Sequence, residues 1–486
     1  MALPDILPIR PFSGPAAGEV ALPGSKSITN RALMLAALGE GRTNLTGALF
    51  SDDTRIMAAA LRQLGFLVEA DETGKTIAVE GRGGDIPSAE ADLFVGLAGT
   101  AARFLTALCA AAPHGRFRLD GTPQMRKRPM RGLLEALRSL GAEIRCEAED
   151  GCFPYVVHAQ GLRSGAVTLD ASESSQMLSA LLMVAPLAGR GLPSGSPGGL
   201  RIALSKPVRE PFVDMTTRLM KRFGVEVASA GGTHVVPRRP YRLADRAGAS
   251  SPIPAYAIEA DASAAGYFLA LPLAVGGGLK LLGVEPPSAD PANPPLQGDI
   301  RFEQVLRSFG LETAAEAGGL RARSLPRAVA ASGAEGGRLS PMRSFDFRAH
   351  SDMFLTLAAL APLLGGSIRI TGIAHTRKQE TDRVAAAAAE LRKIVGLGGC
   401  RTSEDSLEIG PVTETELRRR LPEPVDIDSH GDHRVAMSFA ILGCRDLRGD
   451  GRPWIRVRDP GVCAKSFPDF FERLDSVRTR NPAQNP

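Results

Sequence analysis

MAAALRQLGFLVEA at 57–70 returns as LLEALRSLGAEIRC at 133–146 and as TTRLMKRFGVEVAS at 216–229. FEQVLRSFGLETA (302–314) continues the series, AAELRKIVG (388–396) follows it more loosely, and FPDFFERL (467–474) closes it. In the fuller copies apolar residues recur three and four apart, Leu-Gly or Phe-Gly ends the run, and an alternating stretch follows. That is an amphipathic helix, a glycine C-cap and a strand. Gly65, Gly141, Gly224, Gly310 and Gly396 are 76, 83, 86 and 86 residues apart, a spacing that marks a repeat.

A second helix keeps step with the first. RALMLAALG (31–39), ARFLTALCAAA (102–112), SQMLSALLMVAPLAG (175–189), SAAGYFLALPLAVGG (263–277), SDMFLTLAALAPLLGG (351–366) and HRVAMSFAILG (433–443) are apolar around most of their circumference. A helix apolar on every side belongs in a core. Six exposed helices thus alternate with six buried ones, and the chain reads as six copies of one α/β unit grouped three and three. GRGLPSGSPGG (189–199), EPPSADPANPPLQ (285–297) and AASGAEGGRLS (330–340) read as surface loops between units.

Bulk properties agree. At 486 residues the chain exceeds one ordinary core, so two domains are expected. With 44% hydrophobic and 23% charged residues it is a folded globular chain, and aromatics at 5% leave Ala, Leu, Val and Gly to build close helix-on-sheet layers. The net charge of +5 is scattered as single cations in Gly/Ser-rich motifs, which suits small anions and argues against nucleic acid. Cys109, Cys146, Cys152, Cys400, Cys444 and Cys463 form no CxxC pair, so neither a disulfide scaffold nor a zinc site is expected. MALPDILPIRPFSGP lacks a basic-then-apolar signal, and no apolar run nears the roughly 18 residues of a membrane span. A cytoplasmic protein with no membrane partner is expected.

The polar residues concentrate where each buried helix begins. The lead-ins are PGSKSITN (23–30), GLAGTA (96–101), ASESS (171–175), EADAS (259–263), RAHSD (348–352) and DSHGDH (428–433). Capping explains one Ser, Thr or Asp per helix. It does not explain the cation beside it in SKSITNR, TAAR and GDHR, because a buried cation is costly unless it meets an anion. A helix N-terminus with such a neighbour is an anion site. Six of them converging on one cleft between the domains would make a strongly positive pocket for phosphate-bearing small molecules. No P-loop, GxGxxG, HExxH or GxSxG is present, and the seven histidines do not cluster as metal ligands.

At these residues the chain resembles the enolpyruvyl transferases, and within them the branch that acts on shikimate 3-phosphate. The likeness rests on LPGSKSITNRAL (22–33), SDD (51–53), AGTAARFL (98–105), RKRPM (126–130), SSQM (174–177), LSKP (204–207), EADASAAGYFLA (259–270), QGD (297–299), SDMFLT (351–356), QETDR (379–383), GDHRVAM (431–437) and AKSFPDFF (464–471), which run in order along the chain. It implies an α/β fold of two domains, each of three βαβαββ repeats around parallel buried helices. One domain would be 23–258; the other would join 1–22 to 259–486. It implies transfer of the enolpyruvyl group of phosphoenolpyruvate to the 5-hydroxyl of shikimate 3-phosphate, with no cofactor or metal, by a monomer.

The resemblance also implies roles. Lys26, Ser27 and Arg31 would hold the acceptor, with Lys26 also near phosphoenolpyruvate. Ser174 and Ser175 would bind the 3-phosphate, Gln176 would lie against the ring, and Ser205 would complete the phosphate pocket. Arg128, Arg383, Arg434 and Lys465 would clamp phosphoenolpyruvate, with Gly99 and Thr100 lining that pocket. Asp352 would accept the hydroxyl proton and Glu380 would exchange a proton with the methylene carbon. The sequence departs from the family at Leu97 (usually Asn), Gln124 (commonly Arg), Val208 (often Tyr) and Gln379. At Gln379 the motif normally has a catalytic Lys, and here Lys378 stands one residue before it. Three outcomes stay open: Lys378 is presented instead, Gln379 binds without proton transfer, or the acceptor differs. A nucleotide-type acceptor and an inactive anion-binding relative are the alternatives. RKRPM lacks the reactive Cys usual in the UDP-sugar branch.

Overall fold

The second repeat shows the plan. Strand Glu90–Phe94 leads into the buried helix Gly99–Ala111, which returns to strand Gly115–Asp120, parallel to the first. Parallel neighbours need a crossover, and the buried helix supplies it. Helix Arg131–Ser139 then passes to the hairpin Glu143–Cys146 and Tyr155–Ala159, whose second arm pairs antiparallel with Gly115–Asp120. The four-stranded sheet therefore runs first, second, fourth, third. The computed structural model describes residues 3–193, 198–208, 210–243, 253–286, 295–324 and 341–478. The stretch AASGAEGGRLS, and parts of the other two expected loops, lie outside them.

Four further sheets repeat that order and the sixth has three strands. In the last repeat the N-terminal strand Ile6–Pro8 pairs antiparallel with Ile455–Arg458 and takes the place of the hairpin arm. The chain divides into a continuous unit, Gly24–Glu259, and a discontinuous unit, Met1–Pro23 with Ala260–Pro486. The division comes with an exchange of strands. Ala16–Ala21 directly precedes the helix Lys26–Leu38 but pairs with Gly277–Leu282 of the discontinuous unit. Ala255–Ala257 directly precedes the helix Ala262–Val275 but pairs with Glu40–Thr46 of the continuous unit. Each unit thus owns three complete α/β repeats.

The six apolar segments are the buried helices: Lys26–Leu38, Gly99–Ala111 and Ser175–Val184 in one unit, Ala262–Val275, Phe354–Leu364 and His433–Gly443 in the other. Every residue of Gly99–Ala111, Phe354–Leu364 and His433–Gly443 is buried. Outer helices bury one face only; in Arg131–Ser139 this is Leu133, Leu134, Ala136 and Leu137. Among the described residues no helix is long and apolar enough to cross a membrane.

Candidate active site

In each unit the three buried helices begin side by side. In the discontinuous unit Asp261 caps Ala262–Val275 by accepting from Ala264 N at 2.8 Å, and Asp432 caps His433–Gly443 by accepting from Arg434 N at 2.8 Å. A 3-10 turn, Ser351–Met353, leads into the third helix. Arg434 ties the three starts together: its Nη2 donates to Asp352 Oδ2 at 2.8 Å and to Ser263 Oγ at 3.5 Å.

Arg383 reaches the same place from the start of helix Arg383–Val395, capped by Asp382, which Arg377 holds at 2.8 Å. Its Nε donates to Asp432 Oδ2 at 2.7 Å, Nη1 to Asp352 Oδ1 at 3.0 Å and to Gln379 Oε1, and Nη2 to Glu380 Oε2 at 2.9 Å. Lys465 Nζ lies 3.4 Å from Glu380 Oε1. Burial opposes the charge of Arg383, but Asp432, Glu380 and Asp352 outweigh it and hold the guanidinium well above its ordinary range. Arg434 is likewise raised: burial opposes its charge and Asp352 leads the groups that outweigh it.

Within this unit the cations arrive with internal counter-ions, which offset the cost of burying their charge. Asp352 is shared by both arginines, and Glu380 by Arg383 and Lys465. Such a cluster can receive an anion by exchanging partners, and it keeps two carboxylates beside it for proton transfer. The sequence reading missed Asp432 as a counter-ion, and it quoted Ser263 and Asp299 within EADAS and QGD without giving either a role. Asp299 is buried, accepts from Ser263 Oγ, and is pushed up to about 7 by burial and then by the charge of Asp352. The signals were the lead-in DSHGDH and the triplet QGD, but spacing cannot separate a counter-ion from a cap.

In the continuous unit Arg31, on the second turn of Lys26–Leu38, links the buried helix Ser175–Val184 to the outer helix Glu210–Arg222. Its Nε donates to Thr216 Oγ1 at 2.8 Å, Nη2 to Ser179 Oγ and Phe212 O at 3.3 Å each, and Nη1 to Ser27 O at 3.0 Å. Its guanidinium carbon stands 5.3 Å from the centre of the Phe104 ring. Among the described residues no carboxylate meets it, and burial lowers it to about 9. Arg31 therefore fixes the backbone of Ser27. Lys26 Nζ lies 3.2 Å from Asp53 Oδ2.

Gly99 opens its helix with no side-chain cap, and Arg128 lies against it: a Cβ there would stand 2.7 Å from Arg128 Nη1. Thr100 beside it is buried. Ser174 caps Ser175–Val184 by accepting from Gln176 N at 3.3 Å, Ser175 is buried, and Gln176 keeps a buried Oε1 without a hydrogen-bond partner. Ser205 and Val208 border a cavity of about 820 Å³ with Lys206, Thr217 and His234. The inward position near Arg383 belongs to Gln379, while Lys378 is exposed.

The comparisons with known proteins agree with one another. The family model of EPSP synthase (3-phosphoshikimate 1-carboxyvinyltransferase) matches residues 12–474. A 3-phosphoshikimate 1-carboxyvinyltransferase of Opitutus terrae is 52% identical, covering 99% of this chain and 100% of that one. One from Nostoc punctiforme is 37% identical over 97% and 98% of the two chains, and the chloroplastic one of Solanum lycopersicum 37% over 96% and 83%. An EPSP synthase structure from Acinetobacter baumannii superposes with a TM-score of 0.70 at 23% identity, covering 97% of this chain and 98% of that one. The enolpyruvyl transferase NikO of Streptomyces tendae gives 0.66 at 18%, covering 97% of each. Those two likenesses establish the fold, two domains of βαβαββ repeats. With the ordered motifs, the clustered cations and carboxylates, and full-length relatives, they lead to one assignment: the chain belongs to the EPSP synthase family.

Proposed function

We propose that this chain transfers the enolpyruvyl group of phosphoenolpyruvate to the 5-hydroxyl of shikimate 3-phosphate and releases phosphate. The observation that carries the reading is the sharing of Asp352 between Arg383 and Arg434: a base held by the two cations that would receive the anionic donor. In this reading Ser174, Ser175 and Ser205 take the 3-phosphate, Gln176 meets the ring, and Lys26, Ser27 and Arg31 hold the acceptor. Arg128, Arg383, Arg434 and Lys465 meet the phosphate and carboxylate of phosphoenolpyruvate, beside Gly99 and Thr100, since forked Arg donors match both groups.

Asp352 takes the proton of the 5-hydroxyl as its oxygen bonds to C2 of phosphoenolpyruvate, and Glu380 delivers one to the methylene carbon. The tetrahedral adduct then loses phosphate, which leaves with the proton taken up by Asp352, and Glu380 recovers a methyl proton as the double bond re-forms. Neither step calls for a metal or an organic cofactor. A cytoplasmic monomer completes the reading. Incubation with phosphoenolpyruvate and shikimate 3-phosphate should release phosphate stoichiometrically with the enolpyruvyl product. No release, with both ligands still bound, would leave an anion-binding protein instead.

Two results follow for the residues where the chain departs from its family or crowds its site. Lys378→Ala should leave kcat/KM within about twofold, because the side chain is exposed, whereas Gln379→Ala should lower it about five- to tenfold by removing an acceptor from Arg383. Equal losses in the two variants would show that Lys378 serves the reaction. Gly99→Ala should raise KM for phosphoenolpyruvate about tenfold or more, since its Cβ displaces the Arg128 guanidinium. An unchanged KM would remove Arg128 from the donor site.

A further inference from the structure

The triplet Gln297-Gly298-Asp299 grips the start of helix Ala262–Val275 at two points. Gln297 accepts from Ala262 N through Oε1 at 2.9 Å and donates from Nε2 to Ala260 O at 2.7 Å, which pins the turn Gly298–Arg301 against the helix. Asp299, 8% exposed, then accepts from Ser263 Oγ on the first turn of that helix. The same Ser263 Oγ accepts from Arg434 Nη2, which also donates to Asp352 Oδ2. A continuous line runs from Asp299 through Ser263 and Arg434 to Asp352, the base of the proposed reaction.

We propose that Asp299 is a positioning residue for this site: through Ser263 it decides whether the Arg434 guanidinium is turned toward Asp352 and phosphoenolpyruvate or held back at the helix start. The proposal rests on the functional reading above. The groups acting on Asp299 are Asp261 and Ser263 from helix Ala262–Val275, Asp352 from the turn Ser351–Met353, and Arg434 from helix His433–Gly443. Arg301 and Glu303 follow it along its own stretch of chain. Burial first, and then the charges of Asp352 and Asp261, outweigh Arg434 and Ser263, so Asp299 holds its proton until about neutral pH. Neutral Asp299 asks little of Ser263, and Arg434 answers to Asp352 and the incoming anion. Ionised Asp299 adds a negative charge behind Arg434 and competes for it, so donor binding weakens as pH rises through 7.

The test is the pH dependence of KM for phosphoenolpyruvate, read by phosphate release at saturating shikimate 3-phosphate from pH 6 to 9. Wild type should show a rise of about tenfold over that range, the size of one added charge near a site cation. Asp299→Asn keeps an acceptor for Ser263 but cannot ionise, and its rise should fall below about threefold. Ser263→Ala cuts the line and should flatten the profile as well. Parallel KM profiles in wild type and Asp299→Asn overturn the proposal, as does a uniform loss of kcat and melting temperature without a change in profile. Should Asp299→Asn not fold, Ser263→Ala decides: a retained rise overturns the proposal. Absence of phosphate release from wild type would sink the functional reading alone. Calorimetric binding of phosphoenolpyruvate to wild type and Asp299→Asn over the same pH range then still decides the role of Asp299.

Discussion

Asp352→Asn is expected to lower kcat by about 10²–10⁴ while the protein still folds, because the change removes the proposed proton acceptor but preserves size and hydrogen-bonding reach. The side chain stands where two forked cations meet, 3.0 Å from Arg383 Nη1 and 2.8 Å from Arg434 Nη2. Asn keeps an oxygen for one of them and turns an N–H toward the other, so some loss of stability accompanies the loss of rate. Arg383 retains Asp432 and Glu380, which limits that loss. The measurement is phosphate release beside the melting temperature. A fall in activity that tracks the melting temperature, with full turnover at a lower assay temperature, would mean that Asp352 is only a counter-ion. The KM for phosphoenolpyruvate should change less than kcat, since Arg383, Arg434 and Lys465, the proposed donor clamp, all remain.

Arg383→Met should be more severe. The side chain is 2% exposed and closes ion pairs with Asp352, Glu380 and Asp432. Removing one partner of a buried pair leaves uncompensated charge, which costs about 3–5 kcal/mol, and here three carboxylates are left in one place. Activity should disappear along with much of the stability margin, which is itself only about 5–15 kcal/mol in natural domains. Arg383→Lys separates the two losses. It restores the charge, so folding should recover, but a single ammonium cannot span Asp432, Asp352 and Glu380 at once. Phosphate release should stay below about one hundredth of wild type, because the carboxylates and the donor clamp are no longer aligned. Wild-type activity in Arg383→Lys would show that charge alone suffices and that the fork has no role.

The two predictions draw on different kinds of information. QETDR, SDMFLT and GDHR singled out Arg383, Asp352 and Arg434, which the fold brings together, and the count of repeats was legible too. The counter-ion role of Asp432 was not: an Asp two residues before an Arg at a helix start reads as a cap, and it is one, through Arg434 N. Only its second bond, to a residue 49 positions away, makes it part of the site. The choice between Lys378 and Gln379 was equally closed to a reading of spacing, because it depends on which neighbour the 3-10 turn Ala374–Lys378 leaves pointing at Arg383.

By itself the sequence determined the elements: twelve helical segments in two alternating kinds, glycine stops at a steady interval, polar helix starts, and the family those starts belong to. These are local properties, fixed by periodicity and by the conformational freedom of single residues over ten or fifteen positions. The tertiary structure decided which strand pairs with which and in what register, Ala16–Ala21 with Gly277–Leu282 and Ala255–Ala257 with Glu40–Thr46. It also decided which charges meet, as in Arg434 with Asp352 across 82 residues and Arg31 with Thr216 across 185. Strand pairing and ion pairing depend on distance in space, and the pattern of apolar residues along a chain carries no record of it.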